Sequence, residues 1–315
     1  MSAVAMSMRR AWYRFRRRVA IERGDVMAWT MQPSAAALRP VPDAPRLTAA
    51  SCAAVREILI VDEQGQRRPL YVPAERPLTV FLDGRELVTL MTLGGCPELL
   101  VLGYLRNQRL IVDVAKIESL AVDWNSGSAV VTTRTGMWGS GTGAGPRLVG
   151  TGCGLGTVFG DLMTQVDAIT LPQAASARVS RSTLLHVLET MRQHDAIHRA
   201  AGSVHSCALF QDAGLLVSVE DVSRHNGLDT VAGWMALHGV SGADKILFTT
   251  GRLTGEMVMK AAHNGVPIIV SRNGVTAMGC DLAAKLGMTL FGRAANRRFL
   301  CYVGAERFDP EAAAD

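Results

Sequence analysis

The sequence predicts an α/β protein, a mixed sheet covered by helices with a smaller α+β part in front of it. Two observations carry that expectation. From Ser206 onward, short apolar strands alternate with helical segments, the pattern of a parallel or mixed sheet under helices. Before residue 136, strand patterns come in hairpin pairs around a single helix. The 315 residues, 48% of them hydrophobic, suffice for one large domain or two modest ones with a substantial core. No apolar run reaches the roughly 18 residues of a membrane helix, so a soluble, cytoplasmic protein with no membrane partner is expected.

Taken in order, the chain opens with a basic tail. Residues 1 to 31 hold seven arginines against Glu22 and Asp25, which accounts for the whole net charge of +5. The charge excess is therefore a property of the tail, and no nucleic-acid face is expected on the body. RRAWYRF (Arg9–Phe15) is similar to a twin-arginine export signal, but charge interrupts the VAIERGDVMAWTM that follows, so export is rejected. An organelle transit peptide, or a start at Met27 or Met31, stays open. Residues 32 to 53 are rich in Pro and Ala and read as a linker, so residues 1–53 are expected to be a disordered tail and linker.

Residues 54–135 form the α+β part. Glu57–Asp62 is a strand. Leu78–Leu82 and Glu86–Met91 flank Asp83-Gly84, a strong hairpin signal. Pro97 opens a helix through Gln108. Lys116–Asp123 and Ala129–Arg134 form a second hairpin.

Residues 136–179 read as a mobile glycine-rich loop. Its core, Gly136 to Gly160, holds ten glycines and, in their midst, Cys153. Such a backbone can move far or approach a ligand closely. A reachable thiol near Arg134 and Arg147 is a candidate nucleophile; the plain alternative is a flexible linker with an incidental cysteine. The other cysteines, Cys52, Cys96, Cys207, Cys280 and Cys301, are scattered with no CxxC pair. Neither a disulfide framework nor a zinc ribbon is expected, and the thiols read as reduced.

Residues 180–315 form the α/β domain. Ser180–His198 reads as one capped helix, with Ser180 or Ser182 as the cap. Ser206–Gln211 and Leu215–Val219 form a hairpin. Then come helix Arg224–His238, strand Lys245–Thr249, helix Thr254–His263, strand Pro267–Ser271, helix Thr276–Leu286, and strands Met288–Phe291 and Phe299–Val303.

In sheets of this kind ligands sit at the carboxyl ends of the strands, and four successive strand ends here are polar. They carry Glu220 to Asn226, with Asp229 one turn past His225; Thr250-Gly251-Arg252; Arg272 to Thr276; and Gly292 to Arg298. Arginine forks match phosphate oxygens in pairs, and helices starting after Ser223, Gly251 and Gly274 add backbone donors. Each residue alone reads equally as a cap or an i,i+4 pair; their repetition favours a polyanion site. There is no GxxxxGK[ST], no complete GxGxxG, and no HxE or PCxxC, which excludes a Walker loop, a Rossmann fingerprint and a zinc deaminase.

Several blocks resemble one family. EDVSRHNGLD (Glu220–Asp229) resembles the EDVGRHNAxDK signature of the formate dehydrogenase accessory sulfurtransferases, FdhD. GSVHSCALF (Gly202–Phe210) resembles its TGGxHxAxL, Thr250–Ser271 its SGRxSxEMVxKAxxxGxxIxxS, and TGCGLG (Thr151–Gly156) its TGCGxCG loop. LLVLGYLRNQRLI (Leu99–Ile111) fits more loosely, and the similarity runs from roughly Val80 to Phe308. The resemblance implies a cytidine-deaminase-like fold without zinc and a homodimer. It implies a persulfide on Cys153, taken from a cysteine desulfurase and passed to the molybdenum cofactor, as the bis-guanine dinucleotide, for formate dehydrogenase. GDP is the expected mimic of that cofactor. The segment between the last strands, Arg293, Ala294, Ala295, Asn296, Arg297 and Arg298, is implied to contact it. The rim residues His205, Glu220, Asp221, Arg224, His225, Asp229, Gly251, Arg252 and Thr276 complete the candidate site. The chain departs from the pattern at Gly156, where the second loop cysteine is missing, and at Ser223, Gly227 and Thr230. A cofactor-binding chaperone that transfers little sulfur, and a nucleotide-binding regulatory protein, are the alternatives.

Overall fold

The computed structural model describes residues 29–31, 39–136, 166–173 and 176–310. The first element is β1 (Trp29–Met31), followed by β2 (Arg46–Leu47), β3 (Val55–Val61), β4 (Arg67–Pro73), β5 (Arg76–Leu82) and β6 (Arg85–Thr92). Helix α1 (Pro97–Asn107) comes next, then β7 (Ile117–Asp123) and β8 (Ser128–Thr133). Strands β2, β7, β8, β5 and β6 form one five-stranded sheet in that order. Asp83 and Gly84 both take positive φ, 46° and 79°, which matches the twist of the β5–β6 hairpin. The Asp83 carboxylate then accepts from Thr133 N at 2.8 Å and Thr133 Oγ1 at 2.6 Å, pinning β8 beside β5.

Two expectations for this half are corrected. Residues 39–53 are no loose linker. Val41 N donates to Leu237 O at 2.8 Å, β2 pairs with β7, and Thr48 Oγ1 and Ala50 N both donate to Glu98 Oε1 at 2.7 Å. Their apolar side chains Val41, Ala44 and Leu47 pack on the core of the sheet, which Pro and Ala content alone did not reveal. Strand β4 was not among the expected elements. It pairs along its whole length with β3, where the prolines are tolerated in a two-stranded ribbon.

The second half begins with β9 (Val179–Ser180) and α2 (Arg181–His194), then α3 (Ala196–Ala201), β10 (His205–Gln211) and β11 (Gly214–Asp221). Helix α4 (Arg224–Leu237), β12 (Lys245–Thr249), α5 (Gly255–His263), β13 (Ile268–Ser271), α6 (Ala277–Lys285), β14 (Thr289–Ala295), β15 (Arg298–Val303) and β16 (Phe308–Asp309) complete the chain. A seven-stranded sheet runs β1-β11-β10-β12-β13-β14-β15, parallel from β12 to β14 and antiparallel elsewhere. Helix α2 covers one face through Leu184, Val187 and Met191, over Phe210, Phe248 and Phe291. Helices α4, α5 and α6 cover the other through Leu228, Trp234, Met257 and Leu282.

The single helix expected over 180–198 is broken at Asp195, whose ψ of 70° leaves the helical region. Its carboxylate serves elsewhere, accepting from Ser206 Oγ at 2.8 Å and facing Arg272 Nη1 at 2.6 Å. The C-terminal end of the expected 136–179 loop is also corrected. Val166, Ile169 and Leu171 pack on the core, and the buried Arg307 guanidinium donates to the carbonyls of Pro172, Gln173, Ala177 and Gly287.

Helix α4 is buried on nearly every side, because α1 crosses its outer face at backbone contact. A Cβ on Gly103 would stand 1.6 Å from Asp229 O, and one on Gly233 would stand 1.9 Å from Leu99 O. Only glycine allows that approach. The crossing joins the two sheets: Leu237 of α4 belongs to the core of the five-stranded layer, and Leu99 of α1 packs into both.

Candidate functional site

The registers decide which residues meet. Asp221 lies opposite His205, Cys207 opposite Thr249, Thr249 opposite Ser271, and Val270 opposite Phe291. The end of β11, the start of β10 and the ends of β12, β13 and β14 therefore share one edge. The four polar strand ends form a single rim, as their spacing predicts. Backbone and hydroxyl bonds stitch it together. Ser206 N donates to Thr250 Oγ1 at 2.9 Å, Ser271 Oγ to Gly251 O at 2.6 Å, and Asn273 Nδ2 to Thr250 O at 2.9 Å. Arg293 N donates to Asn273 O at 2.8 Å, which ties the β14–β15 hairpin to the same loops.

Cations gather there. Arg224 opens α4 and its side chain lies across Gly251, where a Cβ would stand 2.6 Å from Arg224 Cβ and Cδ. Arg224 Nε is buried with no hydrogen-bond partner among the described residues. His205 is half-buried, with Nδ1 3.4 Å from Thr250 Oγ1. Burial lowers its pKa, and the charges of Arg224, His198 and Arg252 lower it further. Arg252 is exposed beside them. A buried guanidinium nitrogen left without an acceptor, in a cluster of like charge, fits an anionic ligand. Thr276 caps α6, accepting from Gly279 N at 3.2 Å, and presents that helix start to the same edge.

The segment between the last strands is split. Arg293, Ala295, Asn296, Arg297 and Arg298 are exposed, whereas Ala294 is fully buried in the core under α2 and offers nothing outward. Arg293, Asn296 and Arg297 hold φ of 49°, 49° and 64°, a conformation that costs non-glycine residues on the order of 1 kcal/mol or more each. The β-bulge between Gly292 and Ala295 fixes the first of these.

Three candidate carboxylates lie beneath the rim with their lone pairs taken. Glu220 accepts from Ile197 N and His198 N at 2.9 and 2.8 Å, and burial raises its pKa to about 7. Asp221 accepts from Thr92 Oγ1 at 2.6 Å, Leu93 N at 3.2 Å, Ser223 N at 3.2 Å and Asn226 Nδ2 at 2.9 Å; burial raises its pKa. Asp229 accepts from Asn107 Nδ2 at 2.6 Å and Lys260 Nζ at 2.9 Å, and Lys260 is 1% exposed. These groups build the rim. Asn and Asp types clustered near a helix start gave no signal that separates building from binding.

His225 differs. Its Nδ1 is buried and faces Glu256 Oε1 at 3.4 Å, too poorly aligned for a hydrogen bond, and neither atom has a hydrogen-bond partner among the described residues. Glu256 also lies 3.7 Å from Lys260. Glu256, Lys260 and Asn107 were not among the expected site residues, although Glu256 and Lys260 stand at i,i+4 in the Thr250–Ser271 block. Arg272 was on an expected strand end; Asp195 holds it, over the Phe248 ring.

Cys153 lies outside the described residues. Among the described cysteines, burial is the leading cause that raises the thiol pKa of Cys96, Cys207, Cys280 and Cys301, that of Cys207 to about 12. Such thiols are poor nucleophiles. Among the described residues no three His, Cys, Asp or Glu side chains stand together as a metal site, and no helix is long and apolar enough to cross a membrane.

The model of the FdhD/NarQ family matches residues 73–309. The sulfur carrier protein FdhD of Bacillus subtilis is 32% identical over 234 residues, covering 74% of this chain and 88% of its own length. That of Halalkalibacterium halodurans is 30% identical over 264 residues, covering 81% and 94%. A crystal structure described as a formate dehydrogenase accessory protein from Desulfotalea psychrophila superposes with a TM-score of 0.65 at 25% identity, covering 81% of this chain and 98% of that one. A family model spanning both sheets, relatives aligned over nearly their whole length and a matching fold leave one conclusion: the chain belongs to the FdhD/NarQ family.

Proposed function

We propose that this protein is a sulfur carrier that matures formate dehydrogenase. The observation that carries the reading is the cationic rim, where Arg224 has a buried nitrogen without an acceptor beside His205 and Arg252. That rim suits the phosphates of a guanine dinucleotide, and the molybdenum cofactor in its bis-guanine form is the substrate we assign to it. Arg293, Arg297 and Arg298 reach solvent at the same edge and supply further phosphate contacts. We read the seven-stranded layer as a cytidine-deaminase-like sheet that holds no zinc.

In this reading Cys153 attacks, as thiolate, the terminal sulfur of a cysteine desulfurase persulfide. A bond forms between Cys153 Sγ and that sulfur while the donor cysteine leaves as thiolate. The Arg224, His205 and Arg252 cluster would hold the cofactor for which that sulfur is carried. The protein works as a homodimer in the cytoplasm. One sequence observation favours a second reading, a chaperone that only holds the cofactor: Gly156 stands where the family has its second loop cysteine.

A paired experiment decides between them. GDP at about 100 times its Kd should stabilise the protein by about 2.7 kcal/mol, seen as a raised Tm. Cys153→Ala should keep that rise yet abolish maturation of formate dehydrogenase. No rise with GDP removes the rim reading; a Cys153→Ala protein that matures the client normally replaces the carrier with the chaperone.

A further inference from the structure

The two larger sheets each have one edge closed by a short strand from the front of the chain: β1 lies on β11 and β2 on β7. The opposite edges end in β15 and β6. On β6 the Met91 carbonyl already accepts from Asn226 Nδ2 at 2.7 Å. β15 is barer. Outside its ladder with β14, no backbone group of Arg298–Val303 makes a backbone hydrogen bond among the described residues. The strand holds no proline and no lysine, two common guards of an edge. Its register shifts fall toward the ends, so Leu300 and Cys301 stay in regular ladder opposite Gly292 and Phe291. Such an edge is a template for one more strand.

One face of β15 is also uncovered. Phe299 and Cys301 pack on the core beneath α2. Leu300 points to the other face, where its cross-strand neighbour Gly292 brings no side chain. Tyr302 leans over that glycine, since a Cβ there would stand 2.7 Å from Tyr302 Cε2. Leu300 is left 52% exposed, and Met278, on the first turn of the α6 helix packed beside β15, is 54% exposed.

The charge at the start of the strand is of one sign. Arg298 opens β15, Arg297 precedes it and Arg293 stands on β14. All three are exposed, and none forms an ion pair among the described residues. A second copy paired antiparallel about Leu300 would set Tyr302 or Val303 opposite Arg298 and leave the arginines unmatched. An acidic strand matches them.

We propose that the open edge of β15 docks an extended acidic segment of a partner protein. The segment adds antiparallel to the sheet, sets an apolar side chain against Leu300 and brings carboxylates at its C-terminal end to Arg297 and Arg298. The ladder supplies affinity, and the side chains supply the choice of partner. Because β15 starts at the rim, the acidic end arrives beside the cationic cluster and the rest of the segment runs away from it.

Three synthetic peptides of about nine residues, followed by fluorescence anisotropy on the full-length protein, test the edge. The first alternates valine and threonine and ends in two glutamates. The second ends in two lysines instead. The third is the first with every backbone nitrogen methylated, which removes its donors. The first should bind about tenfold tighter than the second, and the third should not bind. Arg298→Glu should invert the preference between the first two, and Leu300→Asn should weaken the first by about tenfold. No binding by the first peptide overturns the proposal. Equal binding by the methylated peptide overturns strand addition, and equal binding by the lysine peptide overturns an acidic partner. Binding unchanged by Leu300→Asn puts the peptide on the rim alone and also overturns it. A wild-type oligomer that dissociates on Leu300→Glu, seen by sedimentation, gives the edge to a second copy instead.

Discussion

The ten residues Glu220–Asp229 hold two regions that behave oppositely. At the turn that opens α4, Arg224 and His225 keep buried nitrogens without hydrogen-bond partners among the described residues. On either side, Glu220, Asp221, Asn226 and Asp229 are buried and bonded to protein. The flanks tie the segment to α3, β6 and α1; the turn between them is left unsatisfied. A stretch that reads as one polar motif is thus a small functional segment held in a structural frame. The difference teaches that partner count, rather than residue type, separates the two roles.

The largest expected effect breaks the frame. Lys260→Met leaves Asp229 and Glu256 buried without their ammonium and should cost about 3–5 kcal/mol, measured by denaturant unfolding. A double variant that also carries Asp229→Leu should recover much of it, because the unpaired charge is then gone. Recovery failing entirely would mean that Lys260 acts mainly through Glu256, which moves the boundary of the frame.

A smaller effect sharpens the contrast through pH. Glu220 is an acid whose folded pKa, about 7, exceeds its ordinary value of 4.5. Between those values the native state binds more protons than the unfolded chain, so stability falls as pH rises through that window. The contribution amounts to about 3 kcal/mol at most. Glu220→Gln should flatten the loss between about pH 5 and 7; equal slopes in both proteins would place Glu220 outside the frame.

The smallest stability effect belongs to the open turn. Arg224→Ala should move Tm little yet weaken GDP binding by about tenfold, 1.4 kcal/mol, in a titration calorimeter. A large stability loss with unchanged GDP affinity would reverse the assignment and make Arg224 part of the frame.

Much of this was legible in the sequence. The hairpins at Asp83-Gly84 and about Asp212, the α4 helix, and the alternation from β12 to β14 follow from turn residues and apolar runs. The convergence of four strand ends followed from the alternation. What was not legible depends on contacts distant in sequence. Asp195 interrupts a helix because Ser206 and Arg272 claim its carboxylate. Residues 39–53 look like linker until the α1 glutamate Glu98 binds Thr48 and Ala50. The pairing of His225 with Glu256 joins two helices that no local pattern connects.

The crossing of α1 on α4 has a consequence for how the chain folds as it is made. Gly103 and Gly233 touch across 130 positions of sequence. The five-stranded layer emerges from the ribosome with the outer face of α1 bare, and it stays bare until α4 has been synthesised. Contacts of such separation fold slowly and leave apolar surface open meanwhile. The N-terminal layer is therefore a late-closing unit that waits for the second half, and a nascent chain halted before Gly233 is the species a chaperone would meet.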